Sequence, residues 1–176
     1  MESIEQVKST TVTSAVSSVI MDGISTDHVH ILIGKGITIN TDTNYLHTRF
    51  TKVVSGASEP QTAAQYDFAN LILKPDAAFE SFKYPDRTEM YFANSPQGAS
   101  AGESHSFVYY LFNFNNSSQY SYITVEDNVF NSTSSTSHGS QGAMQYGVAE
   151  AHNGIVITGD ATTITGGTLT LYKINN

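Results

Sequence analysis

The chain has 176 residues, no cysteine, and a formal charge of −8 from 16 acidic and 8 basic side chains. That length suits one domain with a full hydrophobic core, and the missing cysteines exclude disulfides and thiolate metal sites as its support. The acidic balance works against phosphate backbones and anionic lipid, which excludes nucleic acid as an expected partner, and no window approaches a membrane span.

Only 14% of the residues are charged, while Ser, Thr, Asn and Gly abound, giving the neutral polar surface of many extracellular or particle-bound β proteins. The opening MESIEQVKST lacks the basic and then apolar pattern of a secretion signal. Ile4 to Val16 reads as a first strand, with Val12, Ser14 and Val16 on one face, and Val19 to Ile24 ends at an Asp22-Gly23 turn. Val29 to Ile33 is β-branched, and Gly34-Lys35-Gly36 predicts a bulge or sharp bend before Ile37 to Ile39. After a turn at Thr41 to Asn44, Tyr45 to Val54 alternates as a long strand, and Ser55 to Thr62 reads as a loop. Gln65 to Leu73 has the length of a short helix, but Asp67, Asn70 and Pro75 favour a strand or irregular edge. Phe79, Phe82 and Tyr84 are expected to cover one end of the core, Glu89 to Ala93 forms a short strand, and Asn94 to Glu103 a flexible loop.

The spine is Phe107 to Phe114, aromatic or aliphatic at almost every position, which predicts a central strand buried on both faces. Asn115 to Ser118 turns the chain and Tyr120 to Val125 returns it as a hairpin. Asn131 to Gly142, NSTSSTSHGSQG, is low in complexity and reads as a mobile exposed loop, which makes His138 and Gln141 candidate interface or receptor contacts. Met144 to Ala149, Ile155 to Thr158 and Thr168 to Ile174 close the chain, with turns expected at Asn153-Gly154 and Gly166-Gly167. About ten short strands with regular turns define an all-β, antiparallel β-sandwich, jelly-roll-like and filling residues 1–176 as a single domain.

Candidate chemistry is thin. Gly98-Ala99-Ser100-Ala101-Gly102 has the nucleophile-elbow spacing, but it leads into a strand rather than from a strand into a helix. His28 and His30 share a strand face without a third ligand at metal spacing, and His47, His105, His138 and His152 are isolated. Asn116-Ser117-Ser118 and Asn131-Ser132-Thr133 are formal glycosylation sequons that read as turn residues. A glycosidase needs a facing carboxylate pair, whereas Asp67, Asp76, Asp86, Glu126 and Asp127 are scattered, and the adjacent Glu126 and Asp127 point apart on an extended chain. Ten Tyr and nine Phe are expected mostly in the core, any exposed remainder forming a carbohydrate-stacking surface.

YDFAN at Tyr66 to Asn70, YLFNFNNSSQYSYITVE at Tyr110 to Glu126 and GGTLTLYKI at Gly166 to Ile174 resemble small virion-associated proteins of tailed phages, especially marine phages of cyanobacteria. The opening strand pair at Val12 to Gly23, followed by Val29 to Ile33, also resembles that family, and the likeness is weakest between Ser81 and Gly102. The resemblance implies a β-sandwich appendage on heads or tail fibres, with no catalytic motif to carry over. The chain has neither the heptads nor the repeats of a fibre shaft, so it is expected to be a whole head-decorating protein or a separate tip. The leading expectation is a non-enzymatic virion protein, a cement or knob on the head; the alternative is a receptor-binding module at a fibre tip that recognises host surface polysaccharide. No catalytic residue, metal or cofactor is expected. The expected partners are the major capsid or other virion proteins, further copies of the chain with a trimer favoured by analogy, and host glycan for the fibre reading.

Overall fold

A computed structural model describes residues 3–91 and 95–175. Its architecture is an all-β sandwich of antiparallel sheets, with no helix among the described residues. The strands are β1 (Ser3–Val12), β2 (Ser18–Asp22), β3 (His30–Ile39), β4 (Leu46–Val54), β5 (Ala57–Pro60), β6 (Tyr66–Leu73), β7 (Glu80–Arg87), β8 (Met90–Tyr91), β9 (His105–Phe112), β10 (Tyr120–Asn131), β11 (Thr136–Ala149), β12 (Gly154–Gly159) and β13 (Ile164–Asn175). Eight of them form one sheet in the order β1-β13-β3-β9-β10-β11-β6-β7, and the second runs β2-β12-β4-β5 with β8 paired to β4.

Between the sheets lies one apolar cluster to which both contribute. Leu32, Tyr109, Leu111, Ile123 and Leu171 come from the large sheet, and Met21, Phe50, Ile155 and Ile157 from the small one. Phe50 is its hub, its ring 4.7 Å from Phe114, 5.6 Å from Tyr66 and 5.1 Å from His152 by centroid. The Tyr66 hydroxyl donates to the Gln61 carbonyl and accepts from the Phe50 amide, so the buried phenol is satisfied at both ends.

Most expected strands appear, with instructive differences. The glycines at 34 and 36 do mark a bulge: pairing of β3 with β9 shifts between Gly34 and Ile37, and Gly36 has φ +60°. A side chain at Gly34 would overlap the Phe107 ring, so the glycine lets an aromatic of β9 lie against the neighbouring backbone. Half of the expected loop at Ser55 to Thr62 is strand, because Ser55 and Gly56 both take positive φ and close a two-residue hairpin into β5. Strand β6 lies inside the sheet, between β11 and β7. Phe82 and Tyr84 are half-buried at the end of the core, while Phe79 is exposed. The strand expected at Glu89 to Ala93 keeps Met90 and Tyr91, and its last two positions, like Asn94 of the following loop, lie outside the described residues. Gly166 and Gly167 are bulges within β13 rather than a turn before it.

Two corrections matter for function. The low-complexity stretch Asn131 to Gly142 is not a mobile loop. Asn131 Oδ1 accepts from the amides of Thr133 and Ser134, each at 2.9 Å, which makes a tight turn, and β11 begins at Thr136. His138 is therefore buried at 3% exposure, facing inward opposite Val129, and only Gln141 stays on the surface. The spine is covered on one face, not two. Phe107, Tyr109 and Leu111 are buried, whereas Tyr110 is 38% exposed and Phe112 half-buried, since the large sheet has a second layer on one side only.

Candidate functional site: the outer face of the large sheet

Strand alternation and register together place the outward residues. One row crosses the entire sheet as Gln6, Tyr172, Ile31, Tyr110, Thr124, Ala143, Ala69 and Lys83, each paired with the next. A parallel row runs Ser9, Thr170, Ile33, Val108, Glu126, Gln141, Leu71 and Ser81. A shorter third row is Phe112, Tyr122, Gln145 and Asp67.

The face divides in two. Over β13, β3 and β9 it is an apolar band made by Tyr172, Ile31, Ile33, Val108 and Tyr110. Over β10, β11, β6 and β7 it sinks, because Ala143 and Ala69 are direct cross-strand partners and neither fills the space above the sheet. The depression holds about 580 Å³ and is bordered by Tyr122, Gln145, Asp67, Lys83 and Pro85. A second hollow of about 540 Å³ continues from Ala69 and Lys83 to Leu71, Ser81 and Gln141. Tyr122 is held rigid by a parallel stack on Phe112, with centroids 4.9 Å apart and planes 14° apart. Asp67 Oδ1 accepts from the Asp86 amide at 2.9 Å.

The candidates for chemistry lie elsewhere. Ser100 sits on an exposed turn where its amide donates to Glu103 Oε2 at 2.8 Å, and the turn leads into β9. His30 is buried and its Nδ1 lies 2.8 Å from the His28 carbonyl; among the described residues no group of three His, Cys, Asp or Glu could hold a metal. Glu126 faces outward and Asp127 inward, as adjacent residues of a strand must; the Asp127 carboxylate is enclosed, accepts from Ser140 Oγ at 2.8 Å and lies 3.6 Å from His105 Nε2.

Two serine, histidine and carboxylate sets do come together, which the sequence spacing did not reveal. Ser95 Oγ lies 2.9 Å from His138 Nδ1, with Asp76 Oδ1 3.7 Å from Nε2. Ser121 Oγ lies 2.8 Å from His152 Nδ1, with Glu150 Oε1 3.5 Å from Nε2. In both sets the serine and histidine are buried, with Ser121 and His152 at 0% exposure, so neither hydroxyl is presented to a substrate. Burial pushes the His152 imidazole down to about 4 against the attraction of Glu150, so near neutral pH the ring is an uncharged hydrogen-bonding wedge in the core.

Tyr122, Lys83 and the two alanines were missed because a trough is a property of register. The parity of Tyr122 within SYITVE was legible, but nothing in a single sequence says that Ala143 stands opposite Ala69. Compared with known protein families and with curated proteins, the chain matches no family model and no protein.

Proposed function

We propose that the chain is a non-enzymatic structural module of a bacteriophage virion, a head decoration that braces the shell or projects from it, and that it assembles through the outer face of the large sheet. The observation that carries this reading is the apolar band of Tyr172, Ile31, Ile33, Val108 and Tyr110, unbroken over three strands of a protein that carries −8 overall. The band covers three strands at about 4.8 Å spacing and two outward rows at about 6.8 Å, or roughly 200 Å². Scattered apolar residues need no explanation, whereas five adjacent ones on the open face of a sheet favour a partner, the polar residues around them completing the ~800 Å² per side of a standard interface. The partners in this reading are the capsid protein and further copies, with a trimer favoured by analogy to phage appendages. The strand orders β1-β13-β3-β9 and β2-β12-β4-β5 interleave the two ends of the chain across both sheets, which supports a jelly-roll-like winding.

The test is to add purified chain to particles from which it has been removed and to locate it by immunogold. The expected result is label on the head surface with wild-type chain and none with the double variant Ile33→Asp, Tyr110→Asp. Unlabelled heads with a correctly folded wild-type chain would refute the reading.

A further inference from the structure

We infer that the trough over β11 and β6 is a binding site for a neutral saccharide, with Tyr122 as its stacking platform. Its floor is the Ala143–Ala69 pair, and its length along the strands, from Gln145 and Asp67 past the alanines to Gln141 and Leu71, covers three outward rows or about 14 Å. At about 580 Å³ for the first part alone, it is within the range of small-molecule clefts.

The lining decides the class of ligand. Because Phe112 covers the β9 side of the Tyr122 ring, the free face of that ring is turned toward β11 and the trough. A pyranose offers an apolar C–H face to such a ring and hydroxyls around its edge. The groups that would meet those hydroxyls are planar or multivalent: the Gln145 carboxamide, the Lys83 ammonium and Asp67, whose second carboxylate oxygen accepts no hydrogen bond among the described residues. One cation beside one carboxylate, on a chain of −8, suits a neutral polyhydroxyl ligand better than a polyanion. A purely aliphatic surface would leave Asp67, Gln145 and Lys83 without hydrogen-bond partners beneath it. Gln141, a candidate interface or receptor contact from the sequence, lies at the far end of the same depression, where a longer oligosaccharide would reach it. The site goes beyond the assembly role and lies on the half of the sheet away from the apolar band.

The experiment uses the full chain on an array of immobilised neutral tri- to hexasaccharides together with sulfated ones, read alongside light scattering and thermal melting. Wild type is expected to retain at least one neutral oligosaccharide. Tyr122→Ala, which removes the platform, and Ala69→Leu, which fills the floor, should each weaken that binding tenfold or more at unchanged particle mass and with a cooperative melt, Tyr122→Ala melting about 2–4 °C lower for the lost stack on Phe112. Ile33→Asp, on the band, should bind like wild type, which separates this site from the assembly surface. The inference is overturned if no neutral member binds at millimolar concentration, if only sulfated members bind, if both trough variants bind like wild type, or if the trough variants change the mass, which would make the trough a contact between copies.

Discussion

His152 shows how much one buried side chain contributes here. Its ring sits against Phe50, Phe114 and Tyr146 at centroid distances of 5.1, 6.0 and 5.0 Å, and burial lowers its pKa from 6.5 to about 4. Between those values the unfolded chain takes up a proton that the folded chain refuses. Stability is therefore complete above about pH 6.5, declines as pH falls toward 4 and stays reduced below it, by about 3 kcal/mol from this group alone. His30, also lowered by burial, acts in the same direction. Urea titrations at pH 7 and pH 4 should show wild type losing more stability than His152→Gln by about that amount; superimposed pH profiles would assign the acid sensitivity to other groups. Gly34 is the second sensitive residue, since a methyl group there meets the Phe107 ring, and Gly34→Ala is expected to destabilise by about 1–3 kcal/mol in the same titration.

The hairpin from β9 to β10 and the strand β11 show what a single sequence can and cannot disclose about an element. The turn at Asn115 to Ser118 was legible because its residue types have a mechanism, and Asn113 and Asn115 indeed hold positive φ. Which face of β9 is covered was not legible, since a run of aromatics reads alike in a strand buried on both faces and in one that carries an exposed functional surface. The two readings separate in a mutant pair. Phe114→Ala should cost about 3–5 kcal/mol because the ring is fully buried, whereas Phe112→Ala, on the open face, should cost about 1 kcal/mol, mostly the loss of its stack on Tyr122; thermal melts of the two variants check this. Strand β11 was hidden by composition. Its Ser, Thr and Gly look like a solvated loop, but their pairing partners Val125, Asp127 and Val129 on β10 supply the apolar and hydrogen-bonding surroundings that β11 lacks by itself. Deleting Ser134 to Ser140 is accordingly expected to abolish cooperative unfolding rather than trim a tip, as circular dichroism during urea titration would show.

At the scale of the molecule, the sequence told correctly that the chain is a sandwich of short strands, because period-two alternation and turn chemistry are local. It did not tell the order of those strands, because β13 lies between β1 and β3 and is joined to neither in sequence. The large sheet is completed only when the last strand enters it, and pairings of this separation fold on the millisecond to second scale. The same register places Ser3 opposite Asn175, so the two ends of the described chain leave the sandwich side by side. Load applied between those two points falls on one backbone hydrogen bond at a time, since the rungs of an antiparallel ladder lie perpendicular to the strands, and β1 peels from β13 like a zip. Load applied between Ser3 and the far end of β13 is instead shared along the ladder, so a domain tethered by its two ends is mechanically soft while one held across its length resists.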